Sequence, residues 1–85
     1  MLKDENLILR VKKVYSRAIN GRVSVDRIPN KNLVNELEID SILALEILIM
    51  IEQEFDIFFE DDDLNSGLVD QISNLTKHIN AKIGA

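Results

Sequence analysis

Glu36-Leu37-Glu38-Ile39-Asp40-Ser41-Ile42-Leu43-Ala44-Leu45-Glu46 is the stretch on which the fold turns. A serine directly follows an aspartate at the head of a strongly apolar run, the pattern of a helix start with Asp40 as N-cap. The apolar spacing predicts a helix from Ser41 to about Phe55, with Ile42, Leu45, Leu48, Ile51 and Phe55 on one face and Ile47 broadening it. Leu43, Ile49 and Met50 spread apolar character further round. Such a helix is either central to a bundle or turns part of its surface to a partner. Ser41 would lie in the first helical turn, beside unpaired backbone N–H groups and the positive end of the helix dipole, where a phosphate ester is electrostatically well placed.

Outward from this stretch the chain reads as helices. Upstream, Leu7, Val11, Val14 and Ala18, with Ile8, Tyr15 and Ile19, predict a first helix from about Lys3 to Asn20, stopped at Gly21. Arg22 to Glu38 has no sustained period and contains the turn cluster Pro29-Asn30-Lys31-Asn32. Its scattered apolar residues, among them Ile28, Leu33 and Leu37, would pin it to the core; a connection this long is often functional. Downstream, Glu60-Asp61-Asp62-Asp63 suits the opening of a one- or two-turn helix ending near Gly67. A last helix is expected from about Gln71 to Lys82, capped by Asp70, with Ile72, Leu75, Ile79 and Ile83 as its buried stripe. The expectation is one all-α domain over residues 1–85, a four-helix bundle of three main helices and one short one.

Composition narrows the function. With three Phe, one Tyr and no Trp the core must be aliphatic, which suits packed helices. There is no Cys, so disulfides are impossible and any thiol chemistry needs a sulfur from outside the chain. Ten basic against fifteen acidic residues give a net charge of −5, which argues against nucleic acid and allows docking to basic protein surfaces. The run Ile42 to Ile51 is about half the length of a membrane span and contains Glu46, so no membrane span is expected. The acidic start Met1-Leu2-Lys3-Asp4-Glu5-Asn6 does not resemble a signal peptide, and a cytoplasmic protein is the expectation.

Other chemistry-bearing residues fall into ordinary roles. Asp61, Asp63, Asn65 and Gly67 imitate a calcium loop, but the EF-hand glycine would fall at Ser66 and its closing glutamate at Ile72. His78 has no ligand partners at helical spacing, so no metal site is assigned. Ser16, Ser24, Ser66 and Ser73 lack a neighbouring base, and no catalytic residues are assigned.

The chain resembles the acyl carrier proteins and the related peptidyl carrier domains over nearly its whole length. The resemblance rests on four segments: Ile8-Leu9-Arg10-Val11-Lys12-Lys13-Val14 in the first helix; Ile28-Pro29-Asn30-Lys31-Asn32-Leu33-Val34-Asn35-Glu36-Leu37 in the loop; Asp40-Ser41-Ile42, where the family has Asp-Ser-Leu; and Glu46 with Glu52-Gln53-Glu54-Phe55 in the second helix. It implies an acyl-carrier-like helical bundle that is not an enzyme. It further implies that Ser41, beside Asp40, carries 4′-phosphopantetheine, transferred from coenzyme A by a phosphopantetheinyl transferase. The arm's thiol would hold acyl or aminoacyl groups as thioesters, supplying the sulfur that the chain lacks. The expected protein is a free-standing monomeric carrier serving acyl-loading and acyl-processing enzymes in fatty acid, lipid or specialised metabolite synthesis.

Glu46, Glu52 and Glu54 are candidates for docking to basic partner surfaces, and Leu43 and Ile49 for an apolar contact beside the serine. Two positions depart from the family pattern. Glu38 stands where the family has Gly, and Leu43 stands where fatty-acid-type carriers have an acidic residue, as in the Ser-Leu-Leu-Ala-Leu run of peptidyl carriers. Loss of the glycine is expected to alter the turn before Ser41 or to make the transferase selective. The rival expectation is a helical interaction module without a prosthetic group, its second helix binding another helix or a second copy.

Overall fold

The computed structural model describes residues 4–64 and 66–84. Three long helices make the frame: α1 (Asp4–Ala18), α3 (Ser41–Phe55) and α5 (Ile72–Ile83). Two single-turn helices, α2 (Leu33–Glu36) and α4 (Ser66–Val69), and two 3-10 turns, Val25–Arg27 and Asp61–Asp63, lie in the connections. There is no strand among the described residues, and none of their helices is long and apolar enough to cross a membrane. Lys3, where the pattern starts the first helix, and Asn65 of the calcium-like sequence lie outside the described residues.

The bundle forms because α1 and α5 each have an apolar face at helical spacing and α3 is apolar on most sides. Leu7, Val11, Val14 and Tyr15 of α1 pack with Ala44, Ile47, Leu48 and Ile51 of α3 and with Ile72, Leu75 and Ile79 of α5. Ile28, Leu33, Leu37 and Ile39 from the long connection are buried in the same cluster, as are Phe59, Leu68 and Val69. No charged residue is buried among the described residues, so cohesion comes from apolar burial, about 1.5–3 kcal/mol for each fully buried large aliphatic side chain.

Several expectations are corrected in detail. Asp70 does not cap α5; Gln71 precedes that helix without a side-chain capping bond. Asp70 instead reaches the start of α2, its carbonyl accepting from Leu33 N–H (3.0 Å) and its carboxylate from Val34 N–H (3.0 Å). In return, Ile72 N–H donates to the Asn30 carbonyl at 2.8 Å, which laces the long connection to the α4–α5 junction. Tyr15 adds the third strand of this tie: its hydroxyl donates to the Val69 carbonyl at 2.6 Å. Burial and the nearby Asp70 carboxylate hold the phenol well above its ordinary pKa of 10.0.

The segment between Gly21 and Ser41 is therefore not irregular throughout. Its missing periodicity reflects a 3-10 turn and a helix of four residues, too short to display a repeat. The acidic patch likewise forms a 3-10 turn of its own, and Gly67 lies inside α4 rather than ending it. Asp63 sits 3.7 Å from both His78 Nε2 and Lys82 Nζ, anchoring that turn to α5. Helix α1 ends at Ala18, two residues before the expected Asn20. Asn20 itself takes the left-handed conformation at φ 57° and Gly21 follows at φ 73°.

Candidate functional site

Helix α3 begins as its sequence demands. Asp40 is extended (φ −86°, ψ 180°), and its Oδ1 accepts from Leu43 N–H at 2.7 Å while its carbonyl accepts from Ala44 N–H at 2.9 Å. This cap satisfies one orphan donor and leaves the first-turn N–H groups of Ser41 and Ile42 without helical partners. Ser41 is exposed at this end, beside the exposed Ile42. A 15-residue helix directs its dipole at the site.

The turn that delivers the chain to Asp40 is tightly built. Glu38 N–H donates to the Asn35 carbonyl at 3.3 Å and Ile39 N–H to the Val34 carbonyl at 2.9 Å, the paired bonds that close a helix on a left-handed residue. Glu38 is that residue, at φ 53°. The turn therefore keeps the conformation that a glycine would favour, and the glutamate bears a backbone cost of about 1–2 kcal/mol. Arg22 straps the same turn: its Nη2 donates to the Leu37 carbonyl at 2.6 Å, and its Nη1 lies 3.7 Å from Glu38 Oε2. The ion pair is exposed and adds little, whereas the bond to Leu37 satisfies a carbonyl at the helix end.

The candidate docking residues separate. Glu46 and Ile49 are exposed, while Leu43 is half-buried against the core. Glu52 turns back to accept from Phe59 N–H at 2.8 Å, fixing the chain after α3. Glu54 pairs with Arg10 at 3.1 Å and Arg17 at 3.4 Å, and the Arg10 guanidinium stacks 4.4 Å from the centroid of the Phe55 ring. Both glutamates thus hold α3 to the rest of the molecule.

The buried face of α3 is rotated from the expected one. Ala44, Ile47, Leu48, Ile51 and Phe55 point inward, and Ile42 and Leu45 are exposed. Because nine of the ten positions from Ile42 to Ile51 are apolar, periodicity alone could not fix its rotation. The serine could have: positions 45 and 49, at multiples of four from an exposed Ser41, share its face. The role of Arg22 had no sequence signal, since its acceptor is a backbone carbonyl 15 residues away.

These features fit a phosphodiester on Ser41: an accessible hydroxyl, donors in the first turn, and an Asp40 carboxylate already engaged by the cap. Among the described residues no group of three or more His, Cys, Asp or Glu side chains could hold a metal ion.

Comparison with known proteins bears on the same region. The family model described as the phosphopantetheine attachment site matches residues 16–79. The chain is 37% identical over 54 residues to an acyl carrier protein of Desulforapulum autotrophicum, covering 64% of this chain and 70% of that one. It is 30% identical over 78 residues to an acyl carrier protein homolog of Mycoplasma pneumoniae, covering 92% and 86% respectively. With an acyl carrier protein of Buchnera aphidicola it shares 33% identity over 78 residues, covering 85% of this chain and 96% of that one. No solved structure matches at a comparable level. A helical bundle built around a capped, exposed serine, together with these matches, shows that the chain belongs to the acyl carrier protein family, whose members are not enzymes and bear a covalent 4′-phosphopantetheine.

Proposed function

We propose that Ser41 is the attachment point of the prosthetic group and that the chain carries acyl intermediates between enzymes. The observation that supports this most is the exposed serine at the capped start of α3, inside the matched span 16–79. When bound, the group supplies a thiol at the end of a flexible arm, on which an acyl chain is held as a thioester. The chain's own residues do the rest. Asp40 fixes the helix start, the Ser41 hydroxyl provides the oxygen of the phosphodiester, and the first-turn N–H groups face the phosphate charge. The bundle holds that attachment point in place, so an arm rooted there reaches a docked enzyme at high effective concentration.

The family works with a phosphopantetheinyl transferase and acyl-processing enzymes. On this reading Glu46 and Ile49 face those partners, and Leu43 beside them disfavours enzymes that expect a carboxylate two places after the serine. The cargo is an acyl or aminoacyl unit, for fatty acid, lipid or specialised metabolite synthesis. The test is intact mass after incubation with coenzyme A and a broad-specificity phosphopantetheinyl transferase. One phosphopantetheine on the wild type and none on Ser41→Ala is the expected result. No addition to the wild type, with dimers on sizing, would replace this reading with a helical interaction module.

A further inference from the structure

Positive charge is segregated in this acidic chain. Arg10 and Arg17 pair with Glu54, Arg22 with Glu38, and Lys82 with Asp63. Lys12, Lys13, Arg27, Lys31 and Lys77 make no ion pair among the described residues. Four of these five line two hollows of about 440 Å³ each, which share Ile8 as a wall. One hollow lies between α1 and the Val25–Arg27 turn and is edged by Lys12 and Lys13. The other lies between α1, Asn30 and α5 and is edged by Lys31 and Lys77, with Ile8 and Ile72 as its apolar wall. Asp26 is the one carboxylate that lines either hollow. The opposite sign collects after α3. Phe58 is 76% exposed, more than any other large apolar side chain among the described residues, and Asp56, Glu60, Asp61 and Asp62 around it are exposed as well.

We infer that copies of this chain associate head to tail, the Phe58 ring of one entering the hollow between α1 and α5 of the next, with the carboxylates beside it against Lys31 and Lys77. An aromatic side chain held in water among carboxylates matches an apolar-walled hollow edged by ammonium groups, in charge and in hydrophobicity. The hollow is of the size that takes small organic ligands, so a single ring fits within it. Lysine at the edge also attracts the face of the ring. The net charge of −5 on each copy opposes approach, but the molecule measures 33 × 27 × 19 Å. At physiological salt, charges are screened beyond about 8 Å, so the local pairing outweighs the distant repulsion. The contact joins two different patches, so every copy keeps one of them unused and the association is open-ended rather than a closed dimer. One aromatic anchor with a few surface ion pairs covers less than the about 800 Å² per partner of stable complexes, which sets a dissociation constant on the order of 0.1–1 mM. No residue of α3 lines either hollow, and the contact does not depend on what Ser41 carries.

The test is sedimentation equilibrium of the full chain from about 10 µM to about 1 mM, at low salt and at about 0.5 M salt. The expected result is a weight-average mass that rises with concentration without levelling at the dimer, and an association about threefold or more weaker in the high salt. Phe58→Ser and Lys31→Glu/Lys77→Glu should each weaken association by about tenfold or more. All three side chains are exposed, and circular dichroism melting separates loss of association from loss of fold. Mixed one to one, these two variants still offer one intact ring and one intact hollow, so they should form a heterodimer that grows no further. Ser41→Ala should associate as the wild type does, which keeps this result separate from the assignment of the serine. Variants that fail to pair on mixing overturn the inference. So does association that persists in Phe58→Ser and disappears in Leu45→Ser/Ile49→Ser, which would put the join on α3. A wild type that stays monomeric throughout overturns it too; if that monomer binds phosphatidylglycerol vesicles through Lys31 and Lys77, the basic side serves a lipid surface instead.

Discussion

The two faces of α3 carry the same kinds of side chain and meet opposite fates. Ile47, Leu48 and Ile51 are almost completely buried in the core, where α3 packs against α1 and α4, whereas Ile42, Leu45 and Ile49 are exposed. Hydrophobicity therefore does not orient this helix. Asp40 caps its start, and its far end is tied by Glu52 to Phe59 N–H and by Glu54 to Arg10 and Arg17 of α1. One face supplies stability and the other remains available for contact. A helix apolar on most of its circumference from Ile42 to Ile51 thus has one buried and one exposed face.

Substitutions can break that division or sharpen it. The largest effect is expected on the inner face: Leu48→Ala should cost about 2–5 kcal/mol, read as a lower urea midpoint with an unchanged slope. If it cost no more than an outer-face change, the orientation of α3 would be wrong. Tyr15→Phe, which leaves the buried Val69 carbonyl without its donor, should cost about 1–3 kcal/mol. The same residue sets an alkaline limit. Because folding raises the phenol's pKa, its contribution is complete below the ordinary value of 10.0 and is lost as pH rises above it. The wild type should therefore destabilise more steeply above that pH than Tyr15→Phe.

Asp40→Ala removes the cap and should cost about 1 kcal/mol, loosening the presentation of Ser41. Glu38→Gly works in the other direction. Relief of a left-handed penalty of about 1–2 kcal/mol outweighs the roughly 0.5–1 kcal/mol that glycine costs through its freer unfolded chain, so a gain of about 0.5 kcal/mol in thermal or urea unfolding is expected. The smallest change belongs to the outer face: Ile49→Ala should alter stability by no more than about 0.5 kcal/mol.

Much of this was legible from the chain alone, for reasons that differ by element. Helix α1 was readable because Leu7, Val11 and Val14 alternate with polar residues, and α5 because Ile72, Leu75 and Ile79 do so. The start of α3 was readable because Asp-Ser before an apolar run is a local signal with a local cause. The face of α3 was not, since its apolar residues encircle it. Nor was the duty of Asp70, which sits where a cap for α5 belongs but serves α2, 36 residues back in sequence. Glu38 teaches a similar lesson in reverse: a missing glycine suggested a different turn, yet the paired bonds to Val34 and Asn35 and the Arg22 strap impose the same left-handed geometry. Local chemistry reads well from sequence; bonds made across the fold do not.

The most direct test of the central claim is peptide-level mass spectrometry of the chain after loading from coenzyme A. The account predicts one phosphopantetheine on the peptide that contains Ser41, and none on those carrying Ser16, Ser24, Ser66 or Ser73. A group found on any of those other serines, or a chain that stays unmodified with an active transferase, would contradict it.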